Sequence, residues 1–91
     1  MSNDQPFQLE LSDVAEKVFR KLDPPIARRI GQKLLWLAEN ADTFPHNALI
    51  GQWRGYFRYR VGDYRAIYRI EEAARVSVVE FVGHRREIYD E

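Results

Sequence analysis

The stretch FRYRVGDYRAIYRI (residues 57–70) decides the fold of this 91-residue chain. On both sides of Gly62-Asp63, aromatic or aliphatic residues alternate with arginines, which is the period-two pattern of a half-buried β-strand. A Gly-Asp pair between two such runs is typical of the tight turn of a β-hairpin. The pattern therefore predicts a hairpin with one apolar face and one face rich in arginine.

The segments around this hairpin predict a domain with both helices and strands. Residues 7–11 alternate like a half-buried strand, and residues 76–82 are apolar on both faces, which indicates a central strand. Apolar residues recur at helical spacing in two segments between them: Val14, Val18 and Leu22, then Ile26, Ile30, Leu34 and Leu37. Ser12 or Asp13 is predicted to cap the first helix, and Asp23-Pro24 to begin the second, which ends near Asn40.

We therefore predict an α+β fold of order β-α-α-β-β-β, with a helical hairpin packed on a small, mainly antiparallel sheet. Residues 7–91 are expected to form a single domain, preceded by a disordered tail over residues 1–6.

The connection between the second helix and the hairpin is predicted to be irregular over residues 42–52. We expect Leu49, Ile50 and Trp53 to hold it against the core. His46 is expected to be exposed, and Trp36 on the second helix to be either a core residue or an anchor for a partner.

Composition excludes several classes of protein. The chain has no cysteine, so it has neither a disulfide framework nor a thiolate metal site. His46 and His84 are far apart and lack metal-ligand spacing, so we expect no metal and no cofactor. Without a signal peptide or a long apolar run, the chain is expected to be cytoplasmic and not to associate with a membrane.

The formal net charge of zero conceals an uneven distribution. Residues 50–70 carry five basic residues, all arginine, and one acidic residue, whereas residues 71–91 carry three basic and six acidic residues. A neutral total argues against loose, salt-driven binding along a nucleic acid, but it allows a focused anion site. Arginine suits such a site because its planar guanidinium makes bidentate contacts with phosphate.

The arginine face of the hairpin is the first candidate site. Arg58 and Arg60 lie two residues apart on a strand, so they point the same way about 6.6–7 Å apart. Successive phosphates along one nucleic-acid strand have a similar spacing, and Arg65 lies just past the turn. These three arginines predict an RNA phosphate site, whereas Arg54 and Arg69 are expected only to solvate the sheet.

The C-terminal segment carries candidate groups for proton transfer. His84 gives or takes a proton near neutral pH, and Glu87 or Tyr89 serves as a base only if its surroundings adjust its pKa. Arg85 and Arg86 are suited to stabilising charge on a reacting phosphate. Each of these residues taken alone is more typical of an ordinary polar C-terminus, and the choice of base among His84, Glu87 and Tyr89 stays open.

Two motifs resemble the RelE/ParE toxin superfamily. YRVGDYRAIY (residues 59–68) looks like its signature strand pair, and VGHRREIY (residues 82–89) resembles its closing motif in the RelE form. Leu49 and Gly51 match the leucine and glycine that precede the signature. The resemblance extends over nearly the whole chain from Phe7.

This resemblance implies the toxin of a bacterial type II toxin–antitoxin system. RelE-type members are ribosome-dependent endoribonucleases that cleave mRNA in the A site and inhibit translation. The reaction is metal-independent: the 2′-hydroxyl of the RNA attacks the adjacent phosphate, leaving a 2′,3′-cyclic phosphate and a 5′-hydroxyl end. The implied partners are a cognate RelB-like antitoxin, the 70S ribosome with its mRNA, and operator DNA only as the toxin–antitoxin complex.

By this resemblance, Arg58 and Arg60 match the basic strand positions, Arg65 the phosphate-binding arginine after the turn, Arg85 the next basic site and Tyr89 the terminal tyrosine. Together with the residues chosen for their own chemistry, the catalytic candidates are Arg65, Arg85, Tyr89, Glu87 and His84, and the RNA-binding candidates are Arg58, Arg60, Arg65 and Arg86. Well-known RelE members have lysine at the two strand positions, where this chain has arginine, which suits charge stabilisation but not base chemistry. Two alternatives remain: a ParE-like DNA gyrase inhibitor without nuclease activity, and a non-catalytic binding module.

Overall fold

A computed structural model describes residues 7–86 of the chain. Its elements are β1 (Gln8–Leu11), α1 (Asp13–Lys21), α2 (Pro24–Glu39), β2 (Asn47–Ala48), a short 3-10 helix (Gly51–Trp53), β3 (Phe57–Val61), β4 (Tyr64–Glu71) and β5 (Val76–His84). The predicted α+β order is confirmed, with β2 as an addition. The tail predicted at residues 1–6 lies outside the described residues, as do residues 87–91. Neither α1 nor α2 is long and apolar enough to cross a bilayer.

The five strands form one mixed sheet in the order β1-β5-β4-β3-β2. Only β1 and β5 pair in parallel, and the other neighbours pair in antiparallel fashion. The predicted central position of β5 is confirmed, because it lies between β1 and β4. The edge strand β2 falls in the connection predicted to be irregular, and two residues are too few to carry a sequence pattern.

Both helices pack on one face of the sheet. Buried residues of α2 (Ile30, Leu34 and Leu37) meet strand residues that are also buried (Val61, Ala66, Tyr68, Val79 and Val82). Burial of these side chains is the main force that holds the helical hairpin on the sheet. The same face therefore contains the apolar positions that the alternation in β3 and β4 predicted.

Ser12 is the N-cap of α1, which decides between the two predicted capping residues. Its Oγ accepts the backbone N–H of Ala15 at 3.0 Å and donates to the carbonyl of Glu80 at 2.7 Å. The first contact satisfies an amide that the helix leaves open, and the second ties the start of α1 to β5.

The turn between β3 and β4 is the predicted Gly62-Asp63 pair. Gly62 has a φ of +59°, a left-handed conformation that glycine adopts without steric cost. The end of the Arg29 side chain on α2 occupies the place of a Cβ here, but this exposed, flexible side chain has room to shift. The left-handed backbone is therefore the reason why the turn favours glycine.

The opposite face of the sheet is covered in part by the segment before β3. Leu49 and Ile67 are buried there, with Trp53, Tyr56 and Phe81 packed around them. Leu49 and Trp53 thus hold the connection as predicted. The prediction for Ile50 is wrong: its side chain is 66% exposed, because the chain turns outward into the 3-10 helix at this point.

Candidate functional site

Arg58, Arg60 and Arg65 lie on the sheet face opposite the helices. Their neighbours Tyr59 and Ala66 belong to the core beneath the helices, so alternation turns the arginines the other way. The strand register places Arg60 directly opposite Arg65. The structure therefore brings together the three arginines that the sequence singled out.

The pairing of Arg60 with Arg65 places two positive charges side by side on one face of the sheet. Side chains directly opposite on antiparallel strands have Cβ atoms about 4.5–5.5 Å apart, and like charges there destabilise a sheet. On the other side of Arg65, its register partner is Gly83, which has no side chain. This row across the sheet thus concentrates positive charge, which suits a phosphate group.

Burial differs among the three arginines. Arg60 is exposed, whereas Arg58 and Arg65 are half-buried, and the Nε atom of Arg65 is buried. A half-buried guanidinium retains less conformational freedom than one on the surface, so less entropy is lost when it binds an anion.

Arg69 shares the arginine face but is engaged by carboxylates. Its Nε lies 3.0 Å from Oε2 of Glu80, and its Nη1 also bonds to Glu71. These hydrogen bonds, first from Glu71 and then from Glu80, raise the pKa of Arg69 further above its usual range. A register shift in β5, opposite Ile67 and Tyr68, brings Glu80 into this position. Arg69 therefore stabilises the sheet through its contacts with Glu71 and Glu80 and is not part of the phosphate site.

The end of β5 lies beside the β3–β4 turn. The backbone N–H of Arg85 donates to the carbonyl of Asp63 at 2.7 Å, which brings Arg85 to the same end of the sheet as Arg60 and Arg65. Arg85 and Arg86 are both exposed. The other two C-terminal candidates, Glu87 and Tyr89, lie outside the described residues.

His84 lies on the helix-facing side of the sheet. Its register partner is Tyr64, and the two rings meet edge to face with centroids 5.4 Å apart. Its Nδ1 accepts the backbone N–H of Arg86 at 3.2 Å. His84 and Arg65 therefore occupy opposite faces at the same end of the sheet.

The prediction that His46 is simply exposed is wrong. The ring is half-buried, its Nε2 lies 2.8 Å from the carbonyl oxygen of Ala41, and its Nδ1 bonds to the hydroxyl of Tyr68. A carbonyl oxygen only accepts, so Nε2 donates to Ala41 and, in the neutral ring, Nδ1 accepts from Tyr68. Burial, with the neighbouring Tyr59, raises the pKa of Tyr68 well above its ordinary value, which keeps this hydroxyl a donor.

Trp36 is a surface residue, so the core alternative for it is wrong. Its side chain is 46% exposed, and one edge contacts Phe44 with ring centroids 5.8 Å apart. Leu35 beside it is 49% exposed. The other alternative, an anchor for a partner, stays a prediction.

A cleft of about 520 Å³ opens at the edge of the sheet beside Arg58 and Arg60. We call it the edge cleft; its lining is Phe44, Pro45, His46, Asn47, Arg58, Tyr59 and Arg60. Sequence reasoning identified the arginines but missed the loop residues 44–47. No local pattern marks them, because their partners are distant in sequence.

Solved structures with a similar fold include toxins of toxin–antitoxin systems. The toxin–antitoxin complex RelBE2 from Mycobacterium tuberculosis contains a chain 26% identical to this one, with a TM-score of 0.79 over 88% of this chain and 92% of that chain. The isolated RelE toxin of E. coli is 24% identical, with a TM-score of 0.71 over 86% of this chain and 83% of that chain. The archaeal RelE–RelB complex from Pyrococcus horikoshii OT3 is 21% identical, with a TM-score of 0.72 over 92% and 100%.

No curated protein sequence matches the chain significantly. A family model does match, over residues 9–89, and it describes the ParE toxin of the type II toxin–antitoxin system parDE. The match includes both motifs that resembled the RelE/ParE superfamily and nearly the whole chain. The chain therefore belongs to the ParE toxin family of the RelE/ParE superfamily and is a type II toxin with a RelE-like fold.

Proposed function

We propose that this toxin is a metal-independent endoribonuclease that cleaves mRNA in the ribosomal A site and so inhibits translation. The observation that carries the proposal is the pairing of Arg60 with Arg65, beside Arg58, on the sheet face opposite the helices. An RNA phosphate bound between the two guanidinium groups accepts a charge-assisted hydrogen bond from each of them.

The arginines supply binding and charge stabilisation. Arg58, Arg60 and Arg86 hold the RNA backbone, while Arg65 and Arg85 stabilise the charge that develops when the 2′-hydroxyl attacks the adjacent phosphate. Holding the 2′-oxygen, the phosphorus and the leaving 5′-oxygen in line lowers the barrier further. Arginine keeps its proton at all working pH values, so none of these residues is the base.

Proton transfer falls to the C-terminal segment. Tyr89, Glu87 and His84 remain the three candidates for removing the 2′-hydroxyl proton and protonating the 5′-oxygen. Because His84 lies on the helix-facing side, beside Tyr64, it reaches the arginine face only around the end of the sheet. This geometry favours Tyr89 or Glu87 as the base.

Gyrase inhibition is the second candidate, because the matching family model describes a ParE toxin. A gyrase inhibitor acts by binding a protein and has no need of an in-line phosphate site. In that case the arginine face would bind an acidic protein surface, and no RNA would be cut.

Primer extension on a translated message separates the two candidates. Brief expression of the wild-type chain should give cuts at codon positions, and Arg65→Ala should remove them. Arg54→Ala is the matched control, because it removes an exposed arginine outside the proposed site and should leave the cuts unchanged. Intact message together with growth arrest and trapped or inactive gyrase would refute the nuclease and support the second candidate.

We also propose that the toxin acts in the cytoplasm and is held inactive by a cognate RelB-like antitoxin that lies across the helical hairpin and covers the C-terminal segment. Support comes from relatives solved as RelB–RelE complexes and from the exposed Leu35 and Trp36 on α2. The pair would bind operator DNA mainly through the antitoxin. Co-purification of the toxin with the product of its adjacent gene tests the pairing.

A further inference from the structure

We propose that the edge cleft is a nucleotide-binding subsite, which holds one nucleotide of single-stranded RNA beside the phosphate bound by Arg60 and Arg65. The inference rests on the proposed nuclease function and extends it, because it names the residues that contact a nucleobase of the RNA. It adds the loop residues 44–47 to the site.

The wall of this subsite is fixed before any ligand binds. Both ring nitrogens of His46 are hydrogen-bonded: Nε2 to the carbonyl of Ala41 and Nδ1 to the buried hydroxyl of Tyr68. These two bonds hold the loop of residues 44–47 in place. The ring of His46 also contacts Phe44 and Phe57, with centroids 5.5 and 5.2 Å away. His46 is therefore a positioning residue: it secures the loop from the helix-facing side and leaves Asn47 exposed at the rim.

The cleft exists because the edge strand stops early. β2 pairs with β3 only through Ala48 with Phe57 and Asn47 with Arg58. If the ladder continued, Pro45 would lie opposite Arg60, but proline has no N–H to donate. The chain leaves the sheet at this point, and the space beside Tyr59 and Arg60 remains open.

The lining combines the groups that single-stranded RNA requires. Arg58 and Arg60 are spaced about 6.6–7 Å apart along the strand, close to the separation of successive phosphates. Phe44 and Tyr59 offer aromatic surface, on which a base packs with little dependence on sequence. The exposed amide of Asn47 has both a donor and an acceptor, so it is suited to reading a base edge.

Continuity with the arginine row favours RNA over a peptide as the occupant. Arg60 lines the edge cleft and is also the register partner of Arg65. One strand of RNA thus reaches both sites through consecutive phosphates. An acidic peptide of the antitoxin would also suit the two arginines, and a variant that loses only antitoxin affinity would identify that occupant.

Binding is tested by NMR titration of the isolated toxin with a 2′-deoxy trinucleotide, which cannot be cleaved. We expect the resonances of His46, Asn47 and Tyr59 to shift. Arg58→Ala and Asn47→Ala should each weaken binding by about tenfold. Arg54→Ala and Gln52→Ala are matched controls with exposed side chains outside the cleft, and they should bind like the wild type.

Cleavage mapping on translating ribosomes gives an independent readout. Asn47→Ala should change which base is preferred next to the cut while the toxin still cleaves. Shifts confined to residues outside the edge cleft, or an Asn47→Ala variant with wild-type affinity and an unchanged cleavage profile, would overturn the subsite. So would a variant that loses only antitoxin affinity, because the cleft would then be a protein-binding surface.

The two proposals fail in different ways. If the wild-type chain cuts no RNA but the trinucleotide still binds in the edge cleft, the nuclease proposal fails and the subsite stands as an RNA-binding site. If cleavage is present but the cleft resonances do not move, only the subsite is refuted.

Discussion

The hydrogen bond between Tyr68 and His46 gives a prediction whose magnitude follows from the structure. Tyr68→Phe removes only the hydroxyl oxygen, so the aromatic ring still fills its fully buried position and no large cavity forms. The change leaves Nδ1 of the half-buried His46 without its donor. A lost hydrogen bond of this kind costs about 1–2 kcal/mol in the free energy of unfolding. In a domain of this size that loss lowers Tm by roughly 4–8 °C for each kcal/mol.

Urea unfolding followed by the fluorescence of Trp36 and Trp53 measures this loss. A double-mutant cycle with His46→Phe, which keeps a ring at position 46, isolates the contact between the two side chains. We expect a coupling energy of about 0.5–1.5 kcal/mol. Additive effects of the two substitutions, or a cost for Tyr68→Phe below about 0.3 kcal/mol, would show that the bond does not stabilise the loop, and the preformed wall of the edge cleft would lose its support.

Three further predictions concern stability and the division of roles among the arginines. Because the pKa of Tyr68 is raised in the folded protein, its hydroxyl loses the proton at lower pH in the unfolded chain than in the folded one. The free energy of unfolding should therefore fall as pH rises above about 10, by up to about 1.4 kcal/mol per pH unit. Denaturation series at pH 9 to 11 should show a shallower fall for Tyr68→Phe, and identical slopes would contradict the assignment. Arg69→Ala should leave RNA cleavage intact and lower the free energy of unfolding by less than about 1 kcal/mol, because this arginine forms a partly exposed ion pair with Glu80. Loss of cleavage in a folded variant would place Arg69 in the phosphate site. Ser12→Ala should cost about 1–2 kcal/mol by thermal denaturation, since Ser12 caps α1 at Ala15 and bonds to β5, and an unchanged Tm would refute this role.

The helix-facing and arginine faces of the hairpin were predictable because they depend on local rules. Alternation in residues 57–70 assigns each side chain to a face, and Gly62-Asp63 fixes the turn, so Arg58, Arg60 and Arg65 were placed on one face correctly. The same alternation, applied once the register of β5 is known, places His84 on the other face. The register itself includes a shift opposite Ile67 and Tyr68, which no local pattern in β5 signals.

The sequence by itself determined the element order, the arginine-rich face and the superfamily, because periodicity, turn residues and motifs are local properties of the chain. Only the tertiary structure decided that His46 bonds to Tyr68, that β2 spans the two residues Asn47–Ala48, and that a cleft opens beside Arg58. These features depend on contacts between residues far apart in sequence. Such contacts form only when the helices and the sheet have packed together, so a loop residue such as His46 carries no local sign of its partner.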